Sequence, residues 1–297
     1  MVGRNNLQNR IVDGVIIAML LLLTIVCLIP IWHTVAISLS NKAAADAGQV
    51  FLWPVKFTTA SYAKVLEEEV FLNAFWISVK RVLLGGAINL ILTVLMAYAL
   101  SKETREFRLR NVYMWLLIFT MLFNGGIVPW FITIKNLGLL DSMWALVLPG
   151  AVPVFNIILL MNFFRNLPKE LTEAAEIDGA GPWYIMLKLF VPLSLPAIAT
   201  VTLFSVVTHW NSFFDGLVLM SRQENYPLQT YIQTLVAELS AQAMAHMSPE
   251  QLSAALNVSS RTFNAAKILI SMIPILVVYP FIQQFFIHGI TLGSVKE

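Results

Sequence analysis

The sequence predicts an all-α polytopic membrane protein, a bundle of six lipid-embedded helices, and three observations carry that prediction. Of its 297 residues 58% are hydrophobic and only 12% are charged, whereas soluble domains carry about 25% charged residues. The mean hydropathy is +0.75. Six stretches supply the roughly 20 mainly apolar residues that a spanning helix needs, at about 11–32, 74–100, 112–134, 143–164, 195–220 and 266–288. In lipid the backbone groups must bond within their own segment, so such stretches are read as helices. There is no tandem repeat or low-complexity linker, and the whole chain, 1–297, reads as one transmembrane domain.

The first stretch follows Arg4 and Arg10 and is too long for the apolar part of a secretory signal. It also lacks a small-x-small cleavage site directly after it, so it reads as an uncleaved span. Cys27, the one cysteine, lies within it and reads as a small hydrophobe. In the second stretch Lys80 and Arg81 fall near one end and are expected to snorkel to the interface. Asn124, with Gly125, Gly126 and Pro129, interrupts the third stretch, and Asn156, with Pro149 and Pro153, interrupts the fourth. Broken helices at membrane depth occur where they line a cavity or are packed in protein, so Asn124 and Asn156 read either as pathway residues or as packing kinks.

The segment 165–192 is polar and breakable. Pro168 suits the first turn of a helix, with Glu170 and Glu173 near its positive end. Leu171, Ala174, Ala175 and Ile177 give a narrow apolar face before Gly179 and Gly181 allow the turn that stops it. A second short helix is expected from Pro182 to Pro192, making a compact knob. Lys and Arg crowd the short segments on the side of this knob, and by the charge rule both termini and the knob face the cytoplasm. On the other side lie two long loops, 33–73 with the acidic run Glu67, Glu68 and Glu69, and 221–265 with an Ala/Gln/Met-rich stretch of helical leaning.

The fifth stretch holds THWNSFFD. On a continuous helix Thr208, Asn211, Ser212 and Asp215 share a face, flanked by Trp210, Phe213 and Phe214. A rise of about 1.5 Å per residue puts His209 roughly two-thirds of the way across, with Asp215 near the outer interface. Aromatic rings beside amides and hydroxyls suit a sugar. The same residues also read as polar glue between helices plus an interfacial aromatic belt.

Glu173-Ala174-Ala175, three residues, Gly179, then nine residues to Leu189, Val191 and Pro192 resembles the EAA loop of permease subunits of ATP-binding-cassette (ABC) importers. Leu189 and Val191 stand where that pattern has Ile and Leu. The resemblance implies a coupling helix, Glu170, Glu173, Ala174, Ala175, Ile177, Asp178 and Gly179, that docks on an ATPase subunit. Together with FNGGIVPWFITIKNLGLLDSMWALVLPGAVPVFNIILL, HWNSFFD and YPLQTYIQTL, it is similar to the oligosaccharide-importing branch of carbohydrate ABC permeases, the LplC-like and maltose-permease-related group, from about Ile11 to Glu297. That branch implies a bacterial inner-membrane heterodimer with a second related permease, two ATPase subunits that hold ATP and magnesium, and an external solute-binding protein. It implies no cofactor or metal on this chain, no catalytic residue, and an internal cavity whose sugar contacts are shared with the other permease; the polar groups within the spans give the candidate pathway on this chain as Asn124, Asn156, Thr208, His209, Trp210, Asn211, Ser212, Phe214 and Asp215.

The composition and motifs also exclude. A formal net charge of +2 argues against a nucleic-acid partner. No GxxxxGK[ST] loop occurs, so the energy source lies on another chain. An intramembrane hydrolase would want paired histidines or G-x-S-x-G, yet His33, His209, His246 and His288 are far apart and neither motif is present. A permease for amino acids, peptides or ions would want deep charge partners; few occur here, which favours a neutral or weakly anionic polyol, and the expected cargo is an oligosaccharide. Acidic sugars such as uronates are compatible with it because Lys80, Arg81 and His209 offset negative charge.

Overall fold

The structure is a computed structural model that describes residues 7–238 and 261–293, and every regular element among them is helical. In chain order these are α1 (Leu7–Ser38), α2 (Lys42–Asp46), α3 (Ala60–Glu67), α4 (Glu69–Ser101), α5 (Arg110–Leu122), α6 (Ile127–Asn136), α7 (Met143–Val147) and α8 (Val154–Arg165). There follow α9 (Lys169–Ile177), α10 (Pro182–Ile185), a π-helical stretch (Met186–Phe190), α11 (Val191–Leu193), α12 (Leu195–Asn211), α13 (Phe214–Leu219), α14 (Leu228–Glu238) and α15 (Arg261–Gly293).

Among the described residues three helices are long and apolar enough to cross a membrane: α1 from Ile11, α4, and α15 as far as Val278. Three further crossings are bent pairs, so the count reaches six when each pair is one span. α5 and α6 meet at 114°, Met143–Gly150 and α8 at 46°, and Pro182–Leu193 and α12 at 84°. The causes lie in the sequence. Asn124 turns its side chain back to accept from the Gly126 amide at 2.9 Å. Pro153 holds an extended backbone ahead of α8. Ser194 leaves the helical region between Pro192 and Pro196. A side-chain bond to the backbone or a proline withdraws one helical hydrogen bond, and the rod kinks there.

The fifth stretch departs from expectation. Instead of one helix over 195–220, α12 stops at Asn211 and α13 begins at Phe214. Ser212 is extended, at φ −69° and ψ 125°, so Thr208, Asn211, Ser212 and Asp215 do not share one helical face. The physical reason is local competition: the Ser212 hydroxyl donates to the Asp215 carboxylate at 2.9 Å and the Gly216 amide does the same at 2.9 Å. Those bonds start a new helix where the old one would have continued.

The chain divides into two compact units, Met1–Glu69 with Leu235–Met272, and Val70–Thr234 with Ile273–Glu297. In the first, α1 is exposed on every side from Ile11 to Trp32, as a helix is when its solvent is lipid. Its end packs Ala36 on Ala44, Ala45 and Val50, and the Trp32 indole donates to the Leu52 carbonyl at 2.8 Å. In the same unit the ammonium of Lys267, buried, lies 2.7 Å from the Glu68 carboxylate and over the Phe263 ring at 4.2 Å. The loop 33–73 is therefore folded, with α2 and α3 inside it. The Ala/Gln/Met-rich part of the second loop, 239–260, lies outside the described residues.

In the second unit the core joins α4, α8, α10 to α11 and α12 through Ala97, Leu100, Ile157, Leu160, Phe164, Ile185, Phe190 and Val201. A buried amide pins two of those helices: Asn156 Nδ2 donates to the Val201 carbonyl at 3.2 Å and to Ser205 Oγ at 3.1 Å. Such a bond holds register more firmly than apolar contact, because the buried amide has no alternative partner in water. At one end Asp141 accepts from the Ser221 and Arg222 amides. Chiefly the Ser221 bond holds its carboxyl below the ordinary value of 3.8, and so the start of the loop after α13 is fastened to the turn between α6 and α7.

Candidate functional site

Two regions of the second unit have the chemistry of a site. The first is an open cavity of about 940 Å³ bounded by α4, α7, α8, α12 and the α12–α13 break. That volume is at the upper end of small-molecule sites, roughly 300–1,000 Å³. Most of its wall is apolar or aromatic, with Trp130, Phe155 and Phe204 among the rings, and its polar points are few.

Those points come from α4 and α12. Arg81 does not snorkel: it is 3% exposed and its guanidinium pairs with Asp215 through both terminal nitrogens, one of them at 3.1 Å. The same nitrogen donates to the Ser212 carbonyl at 3.3 Å, the acceptor that the end of α12 set free. The cause of the correction is long-range. A buried guanidinium keeps its charge when a carboxylate and a carbonyl replace its water, and the break after Asn211 brings both within reach. Lys80, the neighbour expected to behave likewise, is exposed.

One turn along α4, Gly85 makes room for an imidazole. A Cβ at Gly85 would sit 2.5 Å from His209 Nε2, so only glycine admits the ring there. Asn89 Oδ1 lies 3.4 Å from the same nitrogen. Arg81, Gly85 and Asn89 are thus one stripe at four-residue spacing, facing His209, Ser212 and Asp215. Arg81 Nε and His209 Nδ1 are both buried without a hydrogen-bond partner among the described residues.

Of the residues expected along a pathway, Asn156, Thr208, His209, Ser212 and Asp215 line this cavity. Asn124, Trp210, Asn211 and Phe214 do not. Asn124 is the exposed turn residue of the α5–α6 bend. Trp210 is buried edge-on against Phe75 at 5.7 Å and serves packing. Asn211 and Phe214 are exposed. Sequence reasoning missed Gly85 and Asn89, and it placed Arg81, which it read as an offset to anionic sugars, at the interface, where the structure makes it a wall residue. A small residue and two polar ones at four-residue spacing in an apolar helix were the available signal.

The second region is the knob. α9 carries no buried residue, and Ile177 is 86% exposed. Glu170, Glu173, Ala174 and Asp178 also face outward, while Ala175 packs on the core. Gly179 takes φ +78°, the left-handed turn that the sequence predicts there. Pro168 precedes the first turn instead of joining it, and helix continues one residue past Pro192. Beyond the elbow Trp183, Tyr184 and Leu187 are exposed as well, an apolar patch of the kind that marks a protein contact.

The knob is tied to the loop after α4 by an ion pair between Lys169 and Glu103. That hydrogen bond holds the Glu103 carboxyl below its ordinary 4.5 and the Lys169 ammonium above its ordinary 10.5. A groove of about 600 Å³ runs beside it, lined by charges of both signs including Lys102, Glu106, Arg110 and Glu173. Behind it the Arg110 and Arg165 guanidinium groups both donate to the Leu100 carbonyl, at 3.0 and 3.3 Å, which caps the end of α4.

Comparison with known proteins places this arrangement. Residues 89–254 match the family described as binding-protein-dependent transport system inner membrane component. The chain is 38% identical to the polygalacturonan/rhamnogalacturonan transport system permease protein YtcP of Bacillus subtilis (strain 168), over 98% of this chain and all of that protein. It is 37% identical to protein LplC of the same organism, over 91% of this chain and 90% of that one. It superposes with TM-score 0.85 and 34% identity on a chain in the crystal structure of a bacterial ABC transporter involved in the import of the acidic polysaccharide alginate, covering 96% of this chain and 100% of that chain.

Proposed function

The chain belongs to the family of inner membrane components of binding-protein-dependent transport systems, and from that premise we propose that it is the permease subunit of an ABC importer that brings an oligosaccharide, acidic in character, into the cytoplasm. The observation that carries this reading is the pairing of a cavity walled by rings, amides and one ion pair with an exposed two-helix knob at the end of α8. One suits a sugar, whose C–H faces lie on rings while its hydroxyls and carboxylates find donors. The other suits a partner that must push.

In this reading a second related permease completes the translocation path, and an external solute-binding protein delivers the sugar. Two ATPase subunits bind ATP and magnesium and hydrolyse the nucleotide; this chain holds no cofactor and catalyses no covalent step. Both termini and the knob lie in the cytoplasm. Closure of the ATPase pair moves α9 through Glu170, Glu173, Ala174, Ala175, Ile177, Asp178 and Gly179, and the spans swing between inward and outward openings. Within the cavity the cargo meets Asn156, Thr208, His209, Ser212 and Asp215; Asn124, Trp210, Asn211 and Phe214 shape the path from behind or beside it.

The test is uptake of labelled oligogalacturonides by a strain deleted for this chain. Uptake disappears in the deletion and returns with the plasmid-borne gene. Gly179→Pro or Glu173→Lys restores membrane insertion and assembly but not uptake. Normal import by those two variants overturns the coupling role of the knob.

A further inference from the structure

We infer that Arg81 is the residue that recognises a carboxylate of the cargo, exchanging Asp215 for the sugar's anionic group. The inference rests on the importer reading above and adds the group that selects acidic over neutral oligosaccharides.

Four observations lead to it. Among the described residues, Arg81 and Asp215 are the only charged side chains lining the cavity. Every other polar point there is an amide, a hydroxyl, an imidazole or backbone, so the cation for a uronate has one source. Arg81 also has donors to spare: its two terminal nitrogens serve Asp215 and the Ser212 carbonyl, while Nε, buried, has no partner among the described residues. A guanidinium is planar with five N–H groups and matches a carboxylate two bonds at a time.

The third observation concerns what is left behind. If Arg81 turns to a substrate, Asp215 retains the Ser212 hydroxyl and the Gly216 amide, each at 2.9 Å. Asp215 is part-exposed and keeps both donors on Oδ1, so exchange, with the charge of Arg81 still nearby, costs less than outright loss of the arginine. A purely structural ion pair has no need of that reserve.

The fourth is the next turn of α4. Gly85 and Asn89 hold His209 with Nε2 toward the Asn89 oxygen, and Nδ1 is buried without a partner among the described residues. With Nε2 donating to Asn89, Nδ1 offers a lone pair. A uronate ring carries both an acceptor for the unpartnered Arg81 Nε, its carboxylate, and a donor for His209 Nδ1, a hydroxyl close to it.

The experiment uses cells making the complete importer and two probes, labelled trigalacturonate and its fully methylated ester. Uptake is scaled to the amount of assembled complex in the membrane, and the acid-to-ester ratio of each variant is taken relative to the unaltered protein, which cancels discrimination by the delivery protein. Arg81→Lys keeps a cation opposite Asp215 but removes the fork and Nε, and the ratio falls about tenfold, the loss of one charge-assisted bond. Asp215→Asn removes the competitor, and the KM for the acid drops at least threefold while that for the ester does not follow. The double variant Arg81→Gln with Asp215→Asn, which leaves no unpaired charge, loses preference for the acid.

Equal changes for acid and ester in all three variants overturn the inference and mark the pair as structural. Import of the ester alone by the unaltered protein overturns it too, while leaving a sugar importer in place. Import of neither probe overturns the importer reading for these sugars together with the inference.

Discussion

Two of the ion pairs that tie this chain to itself could hardly be placed more differently. Arg81 and Asp215 meet at 3% and 17% side-chain exposure, whereas Lys169 and Glu103 meet at 73% and 56%. The buried pair is surrounded by donors and acceptors that its neighbours supply, and it exists because α12 breaks where it does. The exposed pair leans across water between a loop and a helix. Coulomb attraction at a similar separation is several times stronger in the first setting, yet the first also carries the larger desolvation cost. The lesson is that removing one partner matters far more than removing both in the cavity, and hardly at all at the knob.

Breaking the buried pair on one side gives the largest expected effect. Arg81→Met leaves the part-buried Asp215 without its counter-charge and lowers stability by about 3 kcal/mol, the low end for such a pair because the Ser212 hydroxyl and Gly216 amide remain, read as a fall in the thermal unfolding midpoint of the detergent-solubilised complex. Adding Asp215→Leu recovers most of that loss. A double variant no more stable than the single one contradicts the account of the pair.

Next in size is the stripe beside it. Gly85→Val drives a branched side chain into His209 and costs about 1–3 kcal/mol by overpacking; His209→Ala in the same chain relieves it. Additive losses in that pair of substitutions would show that the two do not meet. Smaller again is Asn156→Leu, which removes the amide bonds from α8 to α12 and costs about 1 kcal/mol, visible as faster amide exchange in both helices and not elsewhere.

At the other extreme, Lys169→Ala leaves the unfolding midpoint where it was, since an exposed pair is screened by water and salt. Its signature is in pH. The Glu103 carboxyl is depressed below 4.5 by Lys169. The pair's contribution is therefore present above that ordinary value and is lost as pH falls through the lowered one. A carboxylate-selective label at Glu103 should report protonation at a lower pH in the unaltered protein than in Lys169→Ala. Identical titrations would dissolve the contrast.

The same contrast explains what could be read from the residues alone. The knob is local: Pro168, the alanines, Gly179 and Pro182 lie within 15 residues, and each acts on its own backbone, so spacing suffices. The left-handed turn at Gly179 and the helix over 169–177 follow directly. The spans are legible for the same reason, because hydropathy belongs to a single stretch. Arg81 and Asp215 are 134 positions apart, and no periodicity within α4 announces which distant helix will break to meet it. A local hint did exist. Ser212 stands three residues before Asp215, the pattern of a helix start, and it speaks against one uninterrupted helix over 195–220. Trp210 misled for a complementary reason: a large ring beside polar residues suits a sugar or a core equally, and only Phe75, from another helix, decides for the core.

Every residue of α1 from Ile11 to Trp32 is exposed in this chain. Such a segment is specified by its oiliness and length, not by its spelling. Leucine, isoleucine, valine and methionine are close to synonyms along it as far as the subunit's own packing goes, whereas one methyl group added at Gly85 is a misprint. Mutational tolerance should accordingly run in opposite directions along two rods of nearly equal length.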